Sequence, residues 1–95
     1  MTITDFLLAR IADDTALARS LQAQAVTDHI DPEDPRLPHL TLAARVLAEC
    51  EAKRRIVSLY DESTAAHEAI ARLPIIRLLA LPYANHPDYD PVWRV

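Results

Sequence analysis

The chain of 95 residues contains no glycine, a single cysteine and only five aromatic residues. Tight β-hairpins need backbone positions with positive φ, which glycine adopts at the lowest cost, so its absence disfavours hairpins and favours helices. The phosphate-cradling loops of nucleotide-binding proteins also depend on glycine. The lone Cys50 has no partner for an internal disulfide, which fits a reducing compartment. These absences point away from β-rich, nucleotide-binding and disulfide-stapled proteins.

Charge and hydropathy disfavour further classes. The net charge is −4, whereas general nucleic-acid binding relies on a basic surface that displaces counterions from phosphates. No apolar run approaches the roughly 18 residues needed to cross a bilayer. The amino terminus lacks the basic start and the long apolar core of a secretory signal. We therefore expect a cytoplasmic protein without membrane association.

Apolar residues recur at three- and four-residue steps along most of the chain, which predicts an all-α fold. The expected architecture is a single domain, either a small helical hairpin or a three-helix bundle. The first helix is predicted over about residues 4–25, with Thr4 as its N-cap, and the second over 41–63, with Thr41 as its N-cap. On the apolar side of the second helix, Cys50 is expected to be a small buried hydrophobe.

Prolines divide the rest of the chain. Residues 26–40 contain three prolines and are predicted to be a loop that brings the first two helices together in antiparallel fashion. Residues 64–81 resume helical periodicity, but Pro74 lacks a backbone donor, so this helix is expected to kink or restart there.

The last fourteen residues, 82–95, hold three of the five aromatic residues and three prolines. Because proline stiffens the chain and an exposed indole or phenol invites aggregation, we expect an extended segment that lays its rings into an apolar groove. The groove is predicted to lie on the chain's own helices. The alternative places it on a partner or a second subunit.

No catalytic, cofactor-binding or metal-binding motif is present, and the four histidines lack metal-ligand spacing, so none of these functions is predicted. Within the basic triplet 53–55, Lys53 and Arg55 each follow a glutamate by four residues, which leaves Arg54 as the better surface contact. The residues that we predict to contact a partner combine these cations with the carboxy-terminal rings. They are Arg54, Arg55, Tyr83, His86, Tyr89 and Trp93.

Two segments resemble a family of small proteins of unknown function, DUF6221. They are ARVLAECEAKRRI, from Ala44 to Ile56, and LLALPYANHPDYDPVWR, from Leu78 to Arg94. Together they cover about a third of the chain as long literal strings. The resemblance implies an origin in an actinobacterium or its phage, and it implies no activity.

The leading hypothesis is a non-enzymatic accessory protein that works by binding another protein. The alternative is a nucleic-acid-associated regulator with a local arginine patch, and an enzyme subunit that uses His86 ranks last. The patch would consist of Arg45, Arg54, Arg55 and Arg77. A homodimer is also considered, because Ile75, Leu79 and Leu81 exceed what one small core is expected to cover.

Overall fold

The computed structural model describes residues 1–27, 33–64 and 74–95, and these ranges contain helices and turns but no strand. The helix α1 spans Ile3–Thr27, α2 spans Leu37–Thr64, and the short α3 spans Ile75–Ala80. Two 3₁₀ turns follow, at Leu81–Tyr83 and Pro91–Trp93. The predicted all-α class is confirmed.

The start of α1 differs from the prediction. Thr2, not Thr4, caps the helix, since its hydroxyl accepts a hydrogen bond from the Asp5 amide at 3.1 Å. Thr4 lies inside the first turn, and its hydroxyl donates to the Asp61 carboxylate on α2 at 3.4 Å. This contact joins the start of α1 to the end of α2, so the two helices are antiparallel, as expected.

The prediction that α2 begins with Thr41 as its cap is also wrong. The helix begins at Leu37 because Pro38 fits a first turn, where its missing donor costs nothing. Asp34 prepares this start: its carbonyl accepts from the Leu37 amide, and its carboxylate accepts from the backbone and side chain of Arg36. The hydrogen bonds from Arg36 lower the pKa of Asp34. Thr41 donates back to the Leu37 carbonyl within the helix.

The loop predicted over 26–40 is therefore shorter, because α1 continues to Thr27 and α2 starts at Leu37; its residues 28–32 lie outside the described ranges. In the predicted helix 64–81, residues 65–73 also lie outside them. Helical structure resumes directly after Pro74, whose carbonyl accepts from the Leu78 amide at 2.9 Å.

The core lies where α3 and the carboxy-terminal segment, residues 82–95, pack against the hairpin of α1 and α2. Cys50 is buried here, as expected. Ile75 and Leu79 of α3 are half-buried. The buried residues of this core are Phe6, Leu7, Ile11, Cys50, Val57, Ile76, Ala80 and Tyr89.

The molecule is elongated, with extents of 52 × 28 × 18 Å and a radius of gyration of 16.5 Å. A compact domain of this length would have a radius of gyration of about 12 Å. The difference has a structural cause: the carboxy-terminal segment contacts α1 at Phe6, Arg10 and Asp14, all in the first half of the helix. The half of the hairpin nearest its loop, here called the loop end, extends beyond this cover.

Candidate functional site

Four of the six predicted contact residues meet around one side chain, Phe6 of α1, which is 0% exposed. Ring centroids lie 5.1 Å from Phe6 for Trp93, 5.6 Å for His86, 5.9 Å for Tyr89 and 6.4 Å for Tyr83. Most of these contacts are edge-to-face, the arrangement that aromatic quadrupoles prefer. The carboxy-terminal segment thus packs on the chain's own core, as predicted, and contact of these rings with a partner stays a prediction.

The segment is a succession of tight turns rather than the extended strap that was expected. Backbone amides donate to carbonyls three residues earlier, from Ala84 to Leu81, from His86 to Tyr83, from Tyr89 to His86 and from Trp93 to Asp90. Pro82, Pro87 and Pro91 each occupy the second position of such a turn, where the fixed φ of proline is favoured. The three-residue repeat therefore turns the rings at 83, 86 and 89 toward one side.

Polar contacts from the hairpin anchor the segment. The Tyr83 hydroxyl donates to the Asp14 carboxylate at 2.7 Å, and the Lys53 ammonium lies 5.8 Å from the centroid of the Tyr83 ring. Burial, reinforced by the hydrogen bond to Asp14, raises the pKa of Tyr83 well above 10.0. The Arg10 guanidinium contacts the His86 ring and pairs with Asp13 at 3.2 Å. Of these contacts with α1, the one between Tyr83 and Asp14 lies nearest the loop end.

Sequence reasoning missed three residues of this site: Phe6, Arg10 and Asp14. The available signal was a regular spacing in both segments. The contact residues recur every four positions along α1, at 6, 10 and 14, and the rings recur every three positions along the carboxy-terminal segment, at 83, 86 and 89. The structure pairs the rings and polar groups of these two rows.

The other two predicted residues, Arg54 and Arg55, both bind Glu51 on α2. The shortest nitrogen-to-oxygen distances are 2.7 Å for Arg54 and 3.0 Å for Arg55, and these hydrogen bonds lower the pKa of Glu51 from 4.5 to about 2. The expected pair of Glu51 with Arg55 is therefore present. The expected pair of Glu49 with Lys53 is not, because Lys53 turns to Tyr83 while Glu49 lies 3.9 Å from Arg45.

These ion pairs bear on the alternative hypothesis of a nucleic-acid contact. Arg45, Arg54 and Arg55 each have a carboxylate within 4 Å. Phosphate contacts would have to compete with these pairs in a protein that already carries a net charge of −4. Three of the four arginines of the patch are thus locally compensated.

A groove of about 570 Å³ runs between α1 and α2 on the side away from the carboxy-terminal segment; we refer to it as the back groove. Its volume falls in the range of ordinary binding sites. Ile11 and Cys50 are its buried lining residues. On the α1 side, Ala12 and Ala16 contribute only small side chains to the lining. The remaining lining residues are Leu8, Thr15, Arg19, Leu47, Glu51 and Arg54.

A second depression, of about 330 Å³, lies at the loop end of the hairpin, and we refer to it as the distal groove. It is on the same side of the hairpin as the carboxy-terminal segment, which packs nearer the start of α1. Buried Ala18 and Ala43 form its floor. Three leucines stand around it with large exposed fractions: 65% for Leu17, 38% for Leu21 and 46% for Leu42. Asp14, His39 and Val46 complete the lining.

Neither groove contains the ligands of a metal centre. In residues 1–27, 33–64 and 74–95, no group of three or more His, Cys, Asp or Glu side chains is placed to hold a metal ion. In the same ranges no helix has the length and apolar character required to span a membrane. What the described surface offers is apolar grooves with polar borders.

The chain belongs to the DUF6221 family, a family of unknown function whose model matches residues 1–95. The resemblance of the two signature segments is thereby confirmed and extends over the whole chain. No curated protein and no solved structure matches the chain.

Proposed function

We propose that this chain is a small non-enzymatic interaction protein that binds an α-helix of another protein in its back groove. The observation that carries the proposal is the groove itself, an apolar channel of about 570 Å³ bounded by two helices and bordered by charged side chains. An amphipathic helix that inserts its apolar face into such a channel is a recurring mode of recognition.

The shape of the groove favours a helix as the occupant. Ala12 and Ala16 are exposed and lie one turn apart on α1, so no large side chain keeps a partner backbone away from the groove floor. Leu8 and Leu47 provide larger apolar contacts on the two walls. Packing between helices requires interaxial distances of about 8–10 Å, and small residues permit the shorter values.

Charged side chains at the border of the groove would select the partner helix and its register. Arg19 lines the groove on α1, whereas Glu51 and Arg54 form a hydrogen-bonded pair on α2. Such exposed pairs contribute little to stability, because solvent screens them, but they select partners and register. Arg54, the cation singled out from the sequence, therefore takes the role of a border contact.

The setting in which we expect this binding is the cytoplasm of an actinobacterial or phage-infected cell. The family resemblance implies the actinobacterial or phage origin, and the amino-acid composition favours the cytoplasm. The carboxy-terminal rings have a different role in the proposal. They close the core and hold the hairpin, and the partner contacts α1 and α2 directly.

The test places a larger side chain in the back groove and measures the affinity for the partner. A tagged chain is used to capture proteins from a lysate of the cell that encodes it, and the captured protein is titrated against the purified variants. Ala16→Leu places a larger side chain in the groove and should weaken binding at least tenfold. Ala48→Leu makes the same exposed substitution on α2 outside the groove lining and should bind like the wild type.

Two results would contradict the proposal. One is a partner whose affinity is the same for the Ala16→Leu and Ala48→Leu chains, since that partner would bind elsewhere. The other is the absence of any protein that the wild-type chain retains in stoichiometric amounts. Circular dichroism of each variant serves as the folding control.

A further inference from the structure

We infer that the helix bound in the back groove is acidic: its apolar face fills the groove, and carboxylates on its flanks pair with Arg19 and Arg54. The inference rests on the proposed function, because it names the chemistry of the partner for the same site. It is carried by an excess of positive charge at the border of the groove, in a chain whose net charge is −4. A cationic border on an acidic chain directs an acidic helix to this groove rather than to the rest of the surface.

Arg19 is a cation on the α1 side of the groove that lacks a counter-charge. Its side chain is exposed, and none of the described residues forms a hydrogen bond or an ion pair with it. The residues one turn away from it along α1 are all uncharged: Thr15, Ala16, Gln22 and Ala23. A guanidinium presents its donors in a fixed fork that matches a carboxylate. Arg19 is therefore available to a carboxylate of the partner.

On the α2 side, two arginines share one carboxylate. Glu51 accepts hydrogen bonds from Arg54 at 2.7 and 3.0 Å and from Arg55 at 3.0 Å. These bonds lower the pKa of Glu51 to about 2, so at neutral pH this cluster of one anion and two cations has a net positive charge. Arg54 uses only its Nε and one Nη on Glu51, which leaves donors for a second carboxylate.

Between these two cations the groove is apolar. Thr15 is the one polar residue among the described lining residues there, and its hydroxyl already donates to the Ile11 carbonyl at 2.8 Å. A small polar anion would therefore find few contacts inside the groove. An amphipathic helix matches both parts of the site, because its apolar stripe fills the interior and its flanks reach the border.

The two cations lie on opposite walls and at opposite ends of the groove. Arg19 is the lining residue of α1 nearest the loop end, and Arg54 is the lining residue of α2 farthest from it, because the two helices are antiparallel. The α1 wall rises about 16 Å from Leu8 to Arg19, which is roughly three helical turns. The partner helix therefore carries one carboxylate on each flank of its apolar stripe, separated by about two to three turns.

The experiment uses two synthetic helical peptides of about 20 residues. Both have the same stripe of leucine and alanine; one has glutamates on its flanks, and the other has lysines at the same positions. Fluorescence anisotropy of the labelled peptides gives their dissociation constants for the full chain. The glutamate peptide should bind at least about tenfold more tightly than the lysine peptide at low salt, and added salt should reduce this preference.

Arg19→Glu reverses one charge of the border and should reduce the preference at least about threefold. Since Arg19 has no partner among the described residues, the substitution leaves no carboxylate unpaired. Arg45→Glu is the matched control: it makes the same change of charge at an exposed position of α2 outside the groove lining, and it should keep the preference. Circular dichroism confirms that each variant folds.

The inference is overturned if the two peptides bind with equal affinity, if the lysine peptide binds more tightly, or if Arg19→Glu and Arg45→Glu have equal effects on the preference. A glutamate peptide that does not bind at up to about 1 mM also overturns it. Ala16→Leu separates these failures from failure of the proposed function. Peptides that bind equally well to the wild type, and that both lose affinity in Ala16→Leu, reject the acidic partner alone. A peptide affinity and a partner affinity that Ala16→Leu leaves unchanged reject helix binding in this groove and the inference with it.

Discussion

Phe6 is the residue whose substitution tests the carboxy-terminal segment most directly. Its side chain is fully buried and contacts the rings of Tyr83, His86, Tyr89 and Trp93. We predict that Phe6→Leu, which keeps an apolar side chain of similar reach but removes the ring, destabilises the protein while leaving the helices formed.

The magnitude follows from the contacts. A hydrophobic exchange of nearly conserved volume in a core costs less than about 1.5 kcal/mol. Loss of edge-to-face pairing adds about 0.5–1.5 kcal/mol for a ring pair. We therefore expect the free energy of unfolding to fall by about 0.5–3 kcal/mol, and Tm to fall by roughly 2–24 °C for a domain of this size. Phe6→Ala, which also leaves a cavity, should cost about 3–5 kcal/mol.

The assay is urea unfolding followed by two signals. Far-ultraviolet circular dichroism reports the helices, while fluorescence of Trp93, the single tryptophan, reports docking of the carboxy-terminal segment. In the wild type both transitions should coincide, and the native emission should lie to the blue of free tryptophan. In Phe6→Ala the emission should shift to the red at urea concentrations where helical signal persists.

The control is Leu59→Ala, at a position of α2 that is 61% exposed, which should change the free energy of unfolding by no more than about 0.5 kcal/mol. The reasoning is refuted if Phe6→Leu is as stable as this control. It is equally refuted if Trp93 in the native wild type emits where free tryptophan does, because the segment would then not be docked on α1.

Three further predictions concern individual polar groups. Tyr83→Phe should lower the free energy of unfolding by about 1.5 kcal/mol because Asp14 loses its hydrogen bond. Tyr89→Phe removes a buried hydroxyl without a partner in the described part of the chain, so it should not lower the free energy of unfolding. Urea denaturation of both variants makes the comparison. Because Arg54 and its neighbour lower the pKa of Glu51 from 4.5 to about 2, their pairing stabilises the fold above pH 4.5 and is lost as the pH falls toward 2; carboxyl NMR titration should show this pKa rising in Arg54→Gln. The pKa of Tyr83 is raised above 10.0, so its contribution to the free energy of unfolding is present below pH 10 and declines above it. Urea denaturation at rising alkaline pH should therefore show the wild type losing stability more steeply than Tyr83→Phe.

The helices were predictable because their signals are local and repeated over many residues. The periodicity of α1 and α2 contains enough turns to identify both. Their starts were not predictable to the residue, because Thr2 and Thr4 are both competent caps and only the helix geometry selects between them. At α2, Pro38 was interpreted as part of a break, although proline is equally compatible with a first turn.

The site was less predictable, since its contacts join residues far apart in the chain. Tyr83 and Asp14 are separated by 69 positions, and no periodicity within one helix indicates that they meet. Lys53 shows the same limitation: the rule for pairs four residues apart assigned it to Glu49, whereas a ring from the carboxy-terminal segment draws it away. The composition of that segment indicated that it docks, and only the structure shows against which residues.

The length of the carboxy-terminal segment determines what remains for a partner. The segment covers little of the hairpin's length per residue, because each i→i+3 hydrogen bond folds the chain back instead of extending it. A truly extended segment of fourteen residues would span up to roughly 45 Å and reach the loop end, covering Leu17 and Leu42. The prolines at the second positions of the turns favour the compact form. The same residues that close the core at Phe6 therefore leave the leucines of the distal groove exposed.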